Sequence, residues 1–247
     1  MKILTFNIRT DFARQVDGEN SWPFRKSLVI DEIRNEKPDV ISFQELTANV
    51  IDDLKYALTD YAFVGCGRGK NLDDEFVSFA YLKDKYTLYF LNTEWLSNTP
   101  NVPGSKYLDE HFPRTISTMK LIDNETKKRF VIINTHLDHE KAEVRKLEAL
   151  QIEKYLNSIN EENLYFMGDL NSLPEDEVIK IISRVNNLTD YTYKLPYTFH
   201  AFGKVQDKID YIFGPKNNKD YEITLFGEQS EKYLSDHHGI ILTIKNV

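Results

Sequence analysis

The stretch Tyr165-Phe166-Met167-Gly168-Asp169-Leu170-Asn171-Ser172-Leu173-Pro174 sets a carboxylate and a carboxamide two residues apart at the end of a short apolar run. In extended chain, residues i and i+2 point to the same side, so Asp169 and Asn171 are expected to project together. Both are hard oxygen donors of the kind that Mg²⁺ takes. The plain alternative is turn chemistry, because Asx side chains close turns and cap helices. The rest of the chain has to decide between them.

Apolar runs elsewhere also stop at an acid, an amide or an imidazole. Asn7 follows Ile3-Leu4-Thr5-Phe6, Glu45 follows Val40 to Gln44, and His136 follows Phe130 to Thr135. Asp236 and His237 stand just before Gly239-Ile240-Ile241-Leu242, and Asp210 interrupts Ile209-Asp210-Tyr211-Ile212-Phe213. Asp210 is expected to point away from the face of Ile209, Tyr211 and Phe213. A single Asn or Glu at a strand end is ordinarily a turn or cap residue. A carboxylate inside an apolar strand needs a partner or a metal, since burying it alone is costly. Ligands of α/β folds bind in crevices outside strand ends, so these residues are expected to converge on one cleft.

The set is rich in oxygen and poor in sulfur: Asn7, Glu45, Asp169, Asn171, Asp210 and Asp236. Such donors suit Mg²⁺ or Mn²⁺ and not zinc. A hard cation beside His and Asp implies hydrolysis of a phosphate ester. No Gly-x-Ser-x-Gly elbow supports acyl transfer, and Cys66 has no histidine near it in sequence. Gly65-Cys66-Gly67-Arg68-Gly69-Lys70 has the glycines and bases of a phosphate loop without the spacing of a Walker motif. It stands as a candidate phosphate contact.

The elements that must position these residues follow from periodicity. Strands are expected over 2–8, 39–44, 61–66, 76–82 and 86–96, then a hairpin of 115–122 with 129–135, and a buried strand over 164–167. Four more are expected near 197–202, 208–213, 222–226 and 239–244. Helices are expected over 25–37, 48–58, 141–159 and 176–184, with polar loops over 11–20 and 99–109. Strands alternating with helices, with hairpins between, indicate an α/β protein with mixed sheets.

The chain has 247 residues, 41% of them hydrophobic and 28% charged, and reads as one domain without repeats or linkers. No apolar stretch approaches the roughly 20 residues of a membrane helix. One cysteine excludes an internal disulfide and a thiolate metal cluster, and suits a cytoplasmic protein or an exported one whose signal has been trimmed. A net charge of −8 argues against a dedicated binder of long nucleic acid. It permits action on phosphates, because a bound cation supplies the missing positive charge.

Thr5-Phe6-Asn7-Ile8-Arg9, Gln44-Glu45, Asn134-Thr135-His136, Gly168-Asp169-Leu170-Asn171, Ile209-Asp210-Tyr211 and Ser235-Asp236-His237 resemble, in order, the motifs of the endonuclease/exonuclease/phosphatase superfamily. Asp17-Gly18-Glu19-Asn20-x-Trp22-x-x-Arg25-Lys26, Trp95-Leu96-Ser97-x-Thr99-Pro100 and Thr135-His136-Leu137-Asp138-His139 are similar to a generic bacterial branch of it. The resemblance implies a four-layer α/β sandwich over 1–247, with two mixed sheets face to face, helices outside and the site at one end. It implies Glu45 as principal Mg²⁺ ligand, aided by Asn7 and Asp236, and Asp169 as general base for the attacking water. Asn171 would hold that water or a phosphate oxygen, Asp210 would orient a charged His237, and His136 and Arg114 would contact the scissile phosphate.

Two departures stand out. Arg9 occupies a position where some nucleases carry an acid, and His237 is followed by His238-Gly239 where a proline is usual one residue later. The arginine and the Cys-Asp-Arg of inositol-polyphosphate phosphatases are missing, since Ser172-Leu173 and Ile209-Asp210-Tyr211 stand there. The expected substrate is therefore a small phosphodiester or phosphomonoester or a short nucleic acid, handled by a monomer. A sphingomyelinase-like lipid diesterase, acting on a lipid head group, would use Trp22 or Trp95 as membrane contacts; simple loop anchoring is the competing role for both. A non-catalytic phosphate-binding relative is the alternative of a different class.

Overall fold

The computed structural model describes residues 1–108, 110–228, 230 and 232–245; Asp109, which closes the expected 99–109 loop, lies outside them. One six-stranded sheet holds β1 (Lys2–Asn7), β2 (Val40–Leu46), β3 (Tyr61–Val64), β4 (Phe76–Leu82), β11 (Tyr221–Phe226) and β12 (Gly239–Ile244), in the order β11-β12-β1-β2-β4-β3. The other holds β5 (Tyr86–Trp95), β6 (Thr115–Asp123), β7 (Arg129–His136), β8 (Leu164–Asp169), β9 (Leu188–Asp190) and β10 (Asp210–Pro215), in the order β5-β6-β7-β8-β10-β9. Each sheet is mixed: β1 and β2 run parallel, as do β7 and β8, and the other pairs are antiparallel.

Side-chain alternation divides the core into layers. Ile3, Val40, Phe79, Ile132, Met167 and Ile212 meet between the sheets. Their neighbours Leu4, Ile41 and Phe43 turn to the helices α2 (Trp22–Glu36) and α3 (Ala48–Ala57). Ile133, Phe166 and Phe213 turn to α4 (Ala142–Asn157) and α5 (Glu177–Ile182). Helices, sheet, sheet and helices give four layers, held by buried Ile, Leu and Phe side chains worth roughly 1.5–3 kcal/mol each on transfer from water.

Several elements differ from the expectation. The 11–20 stretch is not a plain loop: two single-turn 3₁₀ segments flank α1 (Arg14–Asp17). Helix α2 begins at Trp22, because Pro23 suits a first turn. Helix α4 buries Val144, Glu148, Ala149, Ile152 and Leu156 and leaves Leu147 and Leu150 exposed. No strand forms over 197–202. His200 and Ala201 donate instead to the Asp236 carbonyl, and Ala201 and Phe202 adopt left-handed φ of 45° and 56°. The short edge strand β9 was not expected from the pattern.

Candidate active site

The polar residues that end apolar runs lie at one end of the sandwich. On β1 the inter-sheet parity Ile3, Thr5 continues to Asn7; on β7 Ile132 and Asn134 continue to His136; on β8 Tyr165 and Met167 continue to Asp169. Asp210 opens β10 directly opposite Asp169 and shares the inter-sheet face with Ile212, away from Tyr211 and Phe213. Glu45 is the exception. By alternation it belongs with Ile41 and Phe43 on the helix side, but β2 is irregular between Phe43 and Leu46, and Glu45 has φ 60°. The bulge and left-handed backbone turn its carboxylate into the cleft.

Gly168 makes the Asp169 position possible. It has φ 140°, and a Cβ there would lie 2.0 Å from the Thr135 carbonyl oxygen. Asp169 and Asn171 do not project together by strand parity, because β8 ends at Asp169. The Asp169 carboxylate accepts the Asn171 N–H at 2.9 Å, and Asn171, with φ 46°, donates its amide to the Leu137 carbonyl at 2.9 Å. The turn chemistry is present, and both side chains still border one cleft.

Asn7 ties the acids together, donating to Glu45 at 2.9 Å and Asp169 at 3.0 Å while its own oxygen accepts the Arg9 N–H. The Thr10 N–H fixes the other Glu45 oxygen at 2.8 Å. Asp210 Oδ2 lies 2.8 Å from His237 Nδ1, and His237 Nε2 lies 3.7 Å from Asp169 Oδ2. His136 Nε2 approaches the same Asp169 oxygen to 3.6 Å. Ser235 donates to the Asn7 carbonyl at 2.7 Å and so anchors the Asp236 segment to β1.

Burial and neighbouring charge set the protonation states. Burial, then the nearby Asp210, raises the Asp169 carboxyl to about 7, against the pull of His237. Burial opposes charge on His237, but Asp210 and Asp169 outweigh it and raise the imidazole to about 10. Burial and the Arg114 and Arg68 charges push His136 well below its ordinary value, so it is a neutral imidazole. Burial of Glu45 is outweighed by Arg9, the Asn7 amide and His237, which together hold it below the usual carboxylate range.

The cleft measures about 450 Å³ and is bordered by Arg9, Glu45, Arg68, Arg114, His136, Asp169, Asn171, Asp236 and His237. Asn7 and Asp210 stand behind these residues and hold them. A larger cavity, about 780 Å³ between β9 and β11 at the opposite end, lies far from this constellation.

Arg68, from the stretch flagged as a candidate phosphate contact, also borders the cleft, and Glu75, Phe112 and His139 are among the bordering residues that a search for strand-end polar groups misses. Arg68 sits in the Gly65–Lys70 stretch, 2.9 Å from Glu75, with its guanidinium 4.8 Å from the Phe112 ring centre. Burial and Glu45 raise Glu75 to about 7. Arg9, in place of an acid, lies 3.0 Å from Asp17 and 3.5 Å from Asp236.

Trp22 and Trp95 are both buried and bond to Asp53 and to the Arg68 carbonyl. They anchor loops, and a membrane-contact role for them is ruled out by burial. Arg25 is buried too; its guanidinium donates to the carbonyls of Asn20, Ile8 and Leu234, binding together the loops that carry Arg9 and Asp236.

Glu45, Asp169, Asp210 and Asp236 crowd negative charge into one buried corner, and burial with neighbouring acids raises both Asp169 and Asp236. That donor chemistry fits a hard divalent cation. Asp169, Asp210 and His237 could also surround an ion by distance alone.

Oxygen donors around a buried base–imidazole pair, at the end of a four-layer sandwich, define a class of hydrolase that cleaves phosphate esters. The chain belongs to the endonuclease/exonuclease/phosphatase family, whose sequence profile matches residues 4–237. An endonuclease/exonuclease/phosphatase from Bacteroides vulgatus is 30% identical, with a TM-score of 0.87, covering 99% of this chain and 98% of that one. The mannosyl-6-phosphatase Bt3783 of Bacteroides thetaiotaomicron has the same fold at 22% identity, TM-score 0.85, with 98% of each chain covered. An uncharacterised protein of Acanthamoeba polyphaga mimivirus is 26% identical over 251 residues, 96% of this chain and 86% of that protein. No helix among the described residues is long and apolar enough to cross a membrane.

Proposed function

We propose that this hydrolase is Mg²⁺-dependent and acts on a small phosphodiester or phosphomonoester, with Asp169 as general base. The observation that carries the reading is the run from Asp210 through His237 to Asp169, at 2.8 and 3.7 Å, opening on the same cleft as Glu45. Glu45 and Asp236 would hold the cation, with Asn7 fixing Glu45; when bound, it supplies positive charge to the phosphate oxygens. Asp169, with a pKa near 7, is suited to take a proton from the attacking water at neutral pH. Asn171, whose N–H already fixes Asp169, offers its amide oxygen to that water.

His237 is held charged by Asp210 and stabilises charge building on the phosphoryl oxygens. Neutral His136 and the forked donors of Arg114 bind the remaining oxygens. The net charge of −8 supports a small substrate over long nucleic acid. The mannosyl-6-phosphatase name of one structural relative is in keeping with a small monoester.

Hydrolysis should be assayed on bis-p-nitrophenyl phosphate, sugar phosphates, sphingomyelin and DNA with and without abasic sites. The reading expects Mg²⁺-dependent turnover that EDTA and Glu45→Ala both abolish. Mg²⁺ binding with no turnover on any ester would favour a non-catalytic binder instead.

A further inference from the structure

The cleft is polar where it is deepest and apolar where it opens. Asp169, His136 and His237 are buried, whereas Phe12 and Phe112, which border the same cleft, are 67% and 37% exposed. Half-buried Phe199 and Ile209 border it too, and the Phe199 ring centre lies 4.8 Å from that of His237.

A single exposed phenylalanine is ordinary on a protein surface. The mounting of Phe12 is not. It follows β1 in a 3₁₀ turn, Asp11–Ala13, where Thr10 Oγ1 accepts the Phe12 N–H at 3.4 Å. The Thr10 N–H donates in turn to Glu45 at 2.8 Å, and the buried Asp11 carboxylate accepts from Arg14 and Asn49. The backbone under the ring is thus tied to the proposed cation ligand, yet the ring joins none of the three core clusters.

Phe112 comes from a loop of the other sheet, just before β6. Its ring is held in a stack: His111 lies parallel at 4.6 Å, His139 at 6.2 Å and the Arg68 guanidinium at 4.8 Å. Lys106 donates to the His111 carbonyl at 2.8 Å, and Arg68 pairs with Glu75 at 2.9 Å. One ring of the rim is therefore open, and the other is a fixed wall.

We propose that Phe12 and Phe112 form a subsite for a planar ring carried by the leaving group of the ester, a nucleobase or an aryl group, with Phe12 as its stacking face. The proposal deepens the phosphoesterase reading above and rests on it. At about 450 Å³ the cleft has the size of a site for a whole small molecule and not for a phosphate alone. Contacts between rings are directional, so two aromatic side chains from opposite sheets suit a flat ring. A hydrocarbon tail would need a continuous apolar channel, and Arg9, Arg68 and His139 interrupt this border. A bare sugar phosphate would fill the polar floor and leave Phe12 uncovered.

The test uses two matched pairs: adenosine monophosphate with ribose 5-phosphate, and benzyl phosphate with propyl phosphate. Within a pair the leaving alcohols are chemically alike, so a difference reports the ring. Each compound is measured as a substrate and as a competitor of bis-p-nitrophenyl phosphate hydrolysis. Wild type should favour the ring-bearing member of each pair by about tenfold, mainly through KM or the inhibition constant. Phe12→Ala should remove most of that preference, Phe112→Leu should reduce it about threefold, and Phe12→Trp should restore it. Phe24→Ala removes an equally exposed ring that does not border the cleft, and should leave both preferences as they are.

Equal values within both pairs in wild type would overturn the proposal. So would a Phe12→Ala loss of the same size with and without the ring, which would assign the rim to plain hydrocarbon or to the fold. If wild type cleaves no ester at all, the phosphoesterase reading fails separately. Calorimetric binding of adenosine monophosphate against ribose 5-phosphate, with Mg²⁺ present, in wild type and Phe12→Ala then decides the ring subsite by itself.

Discussion

His237 Nδ1 and Asp210 Oδ2 lie 2.8 Å apart, both side chains buried, between a loop of one sheet and the first residue of a strand in the other. The pair therefore depends on how the two sheets face each other. Asp210, with Asp169, raises the imidazole to about 10 against the effect of burial. A group whose native pKa exceeds its unfolded value near 6.5 contributes stability in full below that value and loses it as pH climbs toward the native pKa. Asp210→Asn should therefore destabilise the metal-free protein most below pH 6.5, with the deficit shrinking toward pH 10. Denaturant titrations at pH 6 and 9.5, with imidazole proton shifts followed by NMR, check both halves. An unchanged His237 titration in the variant would remove Asp210 from the role of holding its charge.

Asp169 illustrates the opposing demands of folding and chemistry. Its carboxyl is raised to about 7, first by burial and then by Asp210, so the native state binds its proton more tightly than the unfolded chain does. Its ionisation costs stability progressively as pH rises from about 4 to about 7. Asp169→Asn should consequently be as stable as wild type or more so at pH 8, while kcat falls by at least ~10² through loss of the base. Turnover within a few-fold of wild type would reassign the base; a lower midpoint at pH 8 would show that Asp169 stabilises the fold after all.

Much of this site is legible in the sequence, for a definite reason. Asn7, His136, Asp169 and Asp210 keep the parity of their strands, so an apolar run ending in a polar residue already states where that residue points. Glu45 is singled out as the acid that ends the run from Val40, but it breaks parity through a bulge at φ 60°, which alternation cannot reveal. Glu75, Phe112 and His139 sit outside the periodic runs, where alternation announces nothing, whereas Arg68 lies in the glycine- and base-rich 65–70 stretch. The 197–202 stretch misled because Phe199 makes only isolated bridges, to Asp207 and His237, while His200 and Ala201 donate to the Asp236 carbonyl. Arg9, which stands where some nucleases carry an acid, is the counter-charge to Asp17 and Asp236.

Glu45→Gln should separate cation binding from folding. The amide can still accept the Thr10 N–H, so the bulge should persist, but the formal negative charge is gone. A ligand that binds only the native state raises stability by mass action, roughly 2.7 kcal/mol at a hundredfold excess over Kd. Wild type should therefore show an Mg²⁺-dependent rise in Tm, and Glu45→Gln little or none. An equal rise in both proteins would shift the principal ligand away from Glu45.

Gly168→Ala should damage fold and activity together, and the register explains why. Gly168 pairs with Thr135 across the parallel β7–β8 ladder, one residue before Asp169 and His136, which are themselves paired. A methyl group at Gly168 would meet the Thr135 carbonyl oxygen at 2.0 Å, at a φ of 140° that side chains rarely adopt. Relief requires the strands to part or the backbone to twist, at a cost on the order of 1–3 kcal/mol. Either movement changes the 3.6 Å approach of His136 to Asp169, so kcat should fall by more than ~10-fold. Chemical denaturation and steady-state kinetics on the one variant supply the check. A destabilised protein with full kcat would mean that β8 shifts as a unit and carries Asp169 with it, whereas loss of kcat at unchanged stability would place the strain at the site alone.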